Sequence, residues 1–249
     1  MTDADIARLL AHEAGELLLD LQRTSGLAGK ELGVVGDRQA SDLLMARLAA
    51  LRPDDGVLCE ETQDSADRLT QSRVWIVDPL DGTREYGEGR ADWAVHVALA
   101  IDGRPAIGAV ALPALGLVHC GGEALAAVPV DAPLRMLVSR TRPSPDAVAV
   151  AQRLGAAMVP MGSAGAKAMA VLRGEADIYL HSGGQYEWDN CAPAAVALAG
   201  GLHASRIDGA PLVYNNADPT LPDVLICRPD LGPQVIEALR AQTQAFVTI

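Results

Sequence analysis

The order of apolar patterns along the chain predicts an α+β fold. Two stretches with helical spacing come first, a run of short strands follows, and the remainder alternates strand with helix. A hairpin signal, Asp102-Gly103 between two apolar runs, joins two of the strands.

The elements follow from residue spacing. Ile6, Leu9, Leu10, Ala14, Leu17, Leu18 and Leu21 recur at helical intervals over Asp3 to Leu21. Residues 24–36 are rich in glycine and read as a mobile loop. A second helix is predicted from Asp37 to Leu51, closed by Pro53, with Asp37 where a capping residue belongs. Strands are expected at Val57-Leu58, Val74–Val77, Trp93–Ile101, Pro105–Leu112 and Leu117–Cys120. The Gly/Ala/Pro-rich stretch 121–133 divides the chain into lobes 1–133 and 134–249. In the second lobe, strands at 134–139, 157–159, 176–181 and 223–227 alternate with helices at 144–154, 163–172, 190–199 and 232–242.

Composition narrows the function. With 249 residues and 49% hydrophobic content the chain can bury a large core. Apolar runs are short and interrupted, and the acidic start is unlike a signal peptide, so the expected location is cytoplasmic, with no membrane partner. A net charge of −12 argues against a nucleic-acid polymer, but cations bound to carboxylates can still admit a small anion. The four cysteines have no zinc-like spacing. Lysine occurs only at 30 and 167, which makes Lys167 conspicuous.

The organising motif is Asp78-Pro79-Leu80-Asp81-Gly82-Thr83, directly after Val74-Trp75-Ile76-Val77. It reads as the end of a buried strand and a stiff turn, offering two carboxylates, the Leu80 carbonyl and free N–H groups. Asp-Pro and Asp-Gly are also ordinary turn chemistry. Two further acidic positions change the reading, Glu60-Glu61 after Gly56-Val57-Leu58 and Asp189 before the Ala-rich run Cys191 to Gly200. Three acidic positions, each at the end of an apolar element, look like a divided metal site. Strand alternation lets only one of Glu60 and Glu61 be a direct ligand.

Glu60-Glu61, the hexapeptide and Trp188-Asp189 together resemble, in order and spacing over essentially the whole chain, the inositol monophosphatase superfamily of magnesium-dependent, lithium-sensitive phosphatases. Gly36-Asp37, Arg84-Glu85-Tyr86, Gly162 to Lys167 and Gly183 to Asp189 resemble its CysQ branch, the 3′-phosphoadenosine 5′-phosphate phosphatases, in an actinobacterial-like form. The resemblance implies a layered α/β/α/β/α sandwich. It implies that Glu60, Asp78 and the Leu80 carbonyl hold one Mg2+, that Asp78, Asp81 and Asp189 hold a second, and that Glu60 and Asp37 lie near a third. It makes Asp37 and Thr83 a relay to the attacking water, with Glu60 also catalytic, and gives phosphate oxygens to the Gly82 and Thr83 N–H groups. The family's T-x-x-D here reads Val34-Val35-Gly36-Asp37, without the threonine.

For the substrate, Gly162 to Lys167 does not fit a Walker loop, and the glycines at 26–36 follow a helix and so are no dinucleotide fingerprint. Ser163 and Lys167 are expected at a second phosphate, with Arg84, Ser139, Arg140 and Tyr186 as further nucleotide contacts. None of the five histidines stands beside the motif in sequence, and all read as structural or surface residues. The resemblance implies hydrolysis of the 3′-phosphate of 3′-phosphoadenosine 5′-phosphate, and of the phosphosulfate, in sulfur assimilation. Inositol monophosphatase or fructose-1,6-bisphosphatase activity is the alternative, an inactive metal- or phosphometabolite-binding protein the remote one. A homodimer is compatible with these features.

Overall fold

The computed structural model describes residues 1–122 and 132–247. Most of the expected lobe boundary at 121–133 lies outside the described residues. Among those described there are ten strands and seven α-helices.

The first sheet contains β1 (Gly56–Cys59), β2 (Arg73–Asp81), β3 (Ala94–Ile101), β4 (Arg104–Leu112) and β5 (Leu117–His119), in that order. β1 pairs parallel with β2, and the remaining pairs are antiparallel. Asp102 and Gly103 close the β3–β4 hairpin with φ of 48° and 73°, the left-handed pair that a two-residue loop requires. The second sheet runs β7-β6-β8-β10-β9, from β6 (Arg135–Ser139), β7 (Ala157–Met161), β8 (Ile178–Tyr186), β9 (His203–Ser205) and β10 (Thr220–Cys227).

Alternation along the strands builds the layers. On β2, Trp75 and Val77 face α1 (Asp3–Thr24) and α2 (Gly29–Leu51), meeting Leu10, Leu18 and Leu44. Val74 and Ile76 face the opposite way, toward α5 (Ala164–Leu172) and α6 (Glu187–Ala199), which fill the space between the sheets. On β10, Val224 and Ile226 also join this central layer, while Leu225 and Cys227 pack against α4 (Pro145–Leu154) and α7 (Gly232–Val247). Both sheets are therefore covered on both faces, giving the five-layer α/β/α/β/α order. The central helices are rich in alanine so that the sheets can approach. A Cβ on Gly108 of β4 would lie 2.5 Å from the Ala192 carbonyl of α6. No helix among the described residues is long and apolar enough to cross a membrane.

The structure corrects several sequence expectations. Residues 29–36 are not a loop but the first turns of α2. Glycine disfavours helix by about 1 kcal/mol relative to alanine, yet here it permits contact with α3 (Thr83–Gly87). A Cβ at Gly33 would lie 2.7 Å from Thr83 Cγ2, and one at Gly36 2.8 Å from Tyr86 Cε1. Asp37 is consequently not a cap but a buried residue inside a helix. β8 extends to Tyr186, and α6 begins at Glu187, which places Asp189 in its first turn. The three-residue β9 was not anticipated because it carries too little pattern.

Candidate functional site

Strict alternation would send Asp78 and Asp81, three residues apart, to opposite faces of β2. The predicted turn is instead a bulge. Asp78 pairs with His96 and Asp81 with Ala94, so β2 has one residue more than β3 across this interval. Pro79, lacking an N–H, is suited to a bulge. The extra residue brings both carboxylates to one side, where they meet Asp189, and ligand atoms of the three lie within 4.8 Å of one another. Gly82, at φ 89°, then turns the chain into α3.

Glu60 and Glu61 occupy a turn after β1, so alternation does not separate them. Glu61 contributes to the acidic field at Asp37 and at Glu60, and Glu60 to that at Asp78. Burial, with Glu61 as neighbour and hydrogen-bond partner, pushes the Asp37 carboxyl up to about 7. Asp37 Oδ1 is left without a partner. Crowding by surrounding protein, reinforced by Asp37, Asp189 and Asp81, pushes Glu60 up to about 8, although the residue is exposed. Asp189 is raised to about 6 by burial and by Asp81, and Asp78 well above the carboxylate range by burial and Glu60. Asp81 goes the other way. Burial raises it, but His96, Lys167 and the Ser163 hydroxyl outweigh that and hold it below its ordinary value.

Such a cluster needs either protons or a cation. The oxygen-only donor set, the mutual repulsion and the unpartnered Asp37 oxygen fit a hard divalent cation. Asp78, Asp81 and Asp189 have the arrangement to hold one.

The relay expected between Asp37 and Thr83 is not made in this conformation. Thr83 Oγ1 donates to the Leu80 carbonyl at 3.1 Å, the same carbonyl expected on a metal. Ser163, expected on substrate, instead donates to Asp81 Oδ2 at 2.5 Å, and its oxygen accepts the Ala166 N–H at 2.9 Å, capping α5. Lys167 lines the cleft, but its Nζ donates to the Ser163 and Gly162 carbonyls at 2.6 and 3.1 Å and lies 5.2 Å above the Tyr179 ring. Arg140 is held by Glu85 and Glu88, at 2.8 and 2.9 Å. Tyr186 stacks on Trp188 with ring centres 4.7 Å apart. It is not among the residues lining the cleft.

An open cleft of about 340 Å³ lies over Asp81 and Asp189. Its walls include Thr83 and Arg84 from α3, Arg142 from the segment after β6, Lys167 from α5 and His181 from β8. Arg142 and His181 carry no sequence signal, because neither adjoins a motif. Two of the five histidines read as structural or surface residues stand at the site, His181 in the cleft wall and His96 buried beside the carboxylates. His96 Nε2 lies 3.2 Å from Asp81 Oδ2, and its Nδ1 3.0 Å from the Trp188 carbonyl. Only the β2–β3 register, a nonlocal fact, puts it there.

The chain belongs to the inositol monophosphatase family, whose model matches residues 4–244. Within it, the chain is 50% identical to the 3′-phosphoadenosine 5′-phosphate phosphatase of Mycobacterium leprae, over 96% of this chain and 94% of that protein. It is 30% identical to the 3′(2′),5′-bisphosphate nucleotidase CysQ of Escherichia coli K12, over 72% and 77%. The crystal structure of CysQ from Bacteroides thetaiotaomicron superimposes with a TM-score of 0.80 at 23% identity, covering 91% of this chain and 97% of that one.

Proposed function

We propose that the protein is a magnesium-dependent, lithium-sensitive phosphatase that removes the 3′-phosphate of 3′-phosphoadenosine 5′-phosphate, and of the corresponding phosphosulfate, in sulfur assimilation. The observation that carries the proposal is the cluster of Asp78, Asp81 and Asp189 beneath a cleft whose walls hold guanidinium groups. The name of the half-identical mycobacterial relative supports the choice of nucleotide.

Asp78, Asp81, Asp189, Glu60 and the Leu80 carbonyl would hold two Mg2+, with a third near Glu60 and Asp37. When bound, magnesium neutralises phosphoryl oxygens and acidifies water. The chain's own groups do the rest. Asp37, whose Oδ1 has no hydrogen-bond partner among the described residues, is free to accept a proton there. Glu61 is the hydrogen-bond neighbour of Asp37, and Thr83 completes the relay once its hydroxyl turns from the Leu80 carbonyl. The Gly82 and Thr83 N–H groups orient the scissile phosphate. α3 has only five residues, so these donors act through their own hydrogen bonds and not through a helix dipole. Arg84 and Arg142, both lining the cleft, would attract the second phosphate.

Phosphate release would be measured from 3′-phosphoadenosine 5′-phosphate, inositol 1-phosphate and fructose 1,6-bisphosphate, with magnesium, with chelator, and with magnesium plus lithium. The expected result is preference for the nucleotide, abolished by chelator and reduced by lithium. A higher kcat/KM for inositol phosphate would reject the substrate, and turnover in chelator would reject the metal.

A further inference from the structure

The three clustered carboxylates stand on two separate elements, Asp78 and Asp81 on β2 and Asp189 on α6. One side chain touches both supports. His96, fully buried on β3, sits opposite Asp78 in the strand register. Its Nε2 lies 3.2 Å from Asp81 Oδ2, and its Nδ1 3.0 Å from the carbonyl of Trp188, the residue before Asp189. The ring is rigid, so these two contacts tie the bulge of β2 to the first turn of α6 at a set separation.

The surroundings are fitted to that ring. A Cβ on Gly165 would come within 2.1 Å of His96 Nε2, so only glycine leaves room for it at this point of α5. The Gly165 N–H and the Ser163 hydroxyl reach the same Asp81 Oδ2, at 2.8 and 2.5 Å. The imidazole Nε2 stands at ion-pair distance from that oxygen, outside hydrogen-bond geometry, so among the described residues these groups gather at Oδ2 and no hydrogen bond engages Oδ1. Ser163 holds its place at φ 47°, a strained value for a residue with a side chain. A leucine or valine would fill the space without burying two ring nitrogens, so packing alone does not account for histidine here.

We infer that His96 is a positioning residue, setting Asp81 and the Asp189 turn for a divalent cation before it arrives. The inference rests on the reading of Asp78, Asp81 and Asp189 as cation ligands. Groups that orient metal ligands typically carry 10–100-fold in affinity, roughly the effect expected of this contact. A core histidine with no such role would affect folding alone.

The test is Mn2+ binding to the full chain by calorimetry, together with the magnesium dependence of turnover, for His96→Leu, His96→Gln and His96→Asn. His96→Leu is expected to weaken Mn2+ binding about 10–100-fold. It should raise the magnesium needed for half-maximal rate in the same ratio, with substrate KM unchanged at saturating magnesium. His96→Gln, whose amide nitrogen reaches Asp81 in place of Nε2, should recover most of the affinity. His96→Asn, which reaches only toward the Trp188 carbonyl, should recover less. A His96→Leu protein with wild-type Mn2+ affinity overturns the inference. So does His96→Gln binding no better than His96→Asn, the comparison that decides if the leucine variant does not fold. A wild-type chain that binds no Mn2+ overturns the cation reading and this inference with it, whereas wild-type binding with unaffected variants overturns only the role of His96.

Discussion

Asp37→Asn in metal-free protein tests the electrostatics of the site most directly. The Asp37 carboxyl is held at about 7 against an ordinary 3.8, with burial the larger cause and Glu61 the second. The folded state therefore binds this proton more tightly than the unfolded chain. Stability from the protonated group is complete below its unfolded value and is lost as pH rises through about 7. At about 1.4 kcal/mol per decade, the ionised group costs the metal-free fold about 4 kcal/mol. Relaxation of the Glu61 turn and entry of water reduce this to about 2 kcal/mol. A chain of this size shifts about 2–4 °C per kcal/mol, so Asp37→Asn should melt about 4–8 °C higher than wild type in chelator above about pH 8. At about pH 5 the gap should narrow to less than half, because folded wild-type Asp37 is then protonated while the unfolded chain's carboxyl is still mostly ionised, and it should close only below the ordinary 3.8. Excess magnesium should stabilise wild type more than the variant, since the ligands release protons on binding. Differential scanning fluorimetry in chelator and in magnesium at both pH values measures each quantity. A variant no more stable than wild type at high pH without metal would refute the reasoning.

Other substitutions separate the site's parts. Asp81→Asn should abolish turnover and weaken Mn2+ binding in calorimetry while leaving the fold intact by circular dichroism; retained activity would misplace the metal. Lys167→Ala removes the ammonium from the carbonyls of residues 162 and 163, which lie beside the cleft. It should raise KM for the bisphosphate nucleotide far more than for inositol 1-phosphate, and equal increases would assign the lysine to loop structure only. Glu187→Ala leaves the Asn215 and Asn216 N–H groups and the Asn216 amide without their buried carboxylate, each now bonded at 2.7 Å. The expected loss is about 3 kcal/mol, or about 6–12 °C in Tm by calorimetry, with magnesium affinity little changed.

The metal-ligand candidates could be read from residue identity because their local signals are strong. Asp78, Asp81 and Asp189 each stand at the end of an apolar run, and Pro79 and Gly82 mark a forced backbone irregularity at the first two. The α+β class followed from helix and strand periods, which each segment carries in its own residues. Asp102-Gly103 likewise carries its hairpin turn within two positions.

Other features depend on partners far away in the chain. Glycines 33 and 36 look like loop residues until Thr83 and Tyr86 pack against them, after which Asp37 becomes a buried helical carboxylate and not a cap. The bulge that turns Asp78 and Asp81 to one side is a mismatch between two strands and does not exist in either alone. His96 lies among apolar residues of β3 with no motif around it, yet register places it against Asp81 and the chain before Asp189. Ser163 and Lys167 were visible as unusual residues, but the atoms they bond were not. Periodicity and turn chemistry are local properties and survive in a string of letters; burial, register and the field of neighbouring charges arise only when distant segments meet, and those decide which oxygen faces a cation and which is already held.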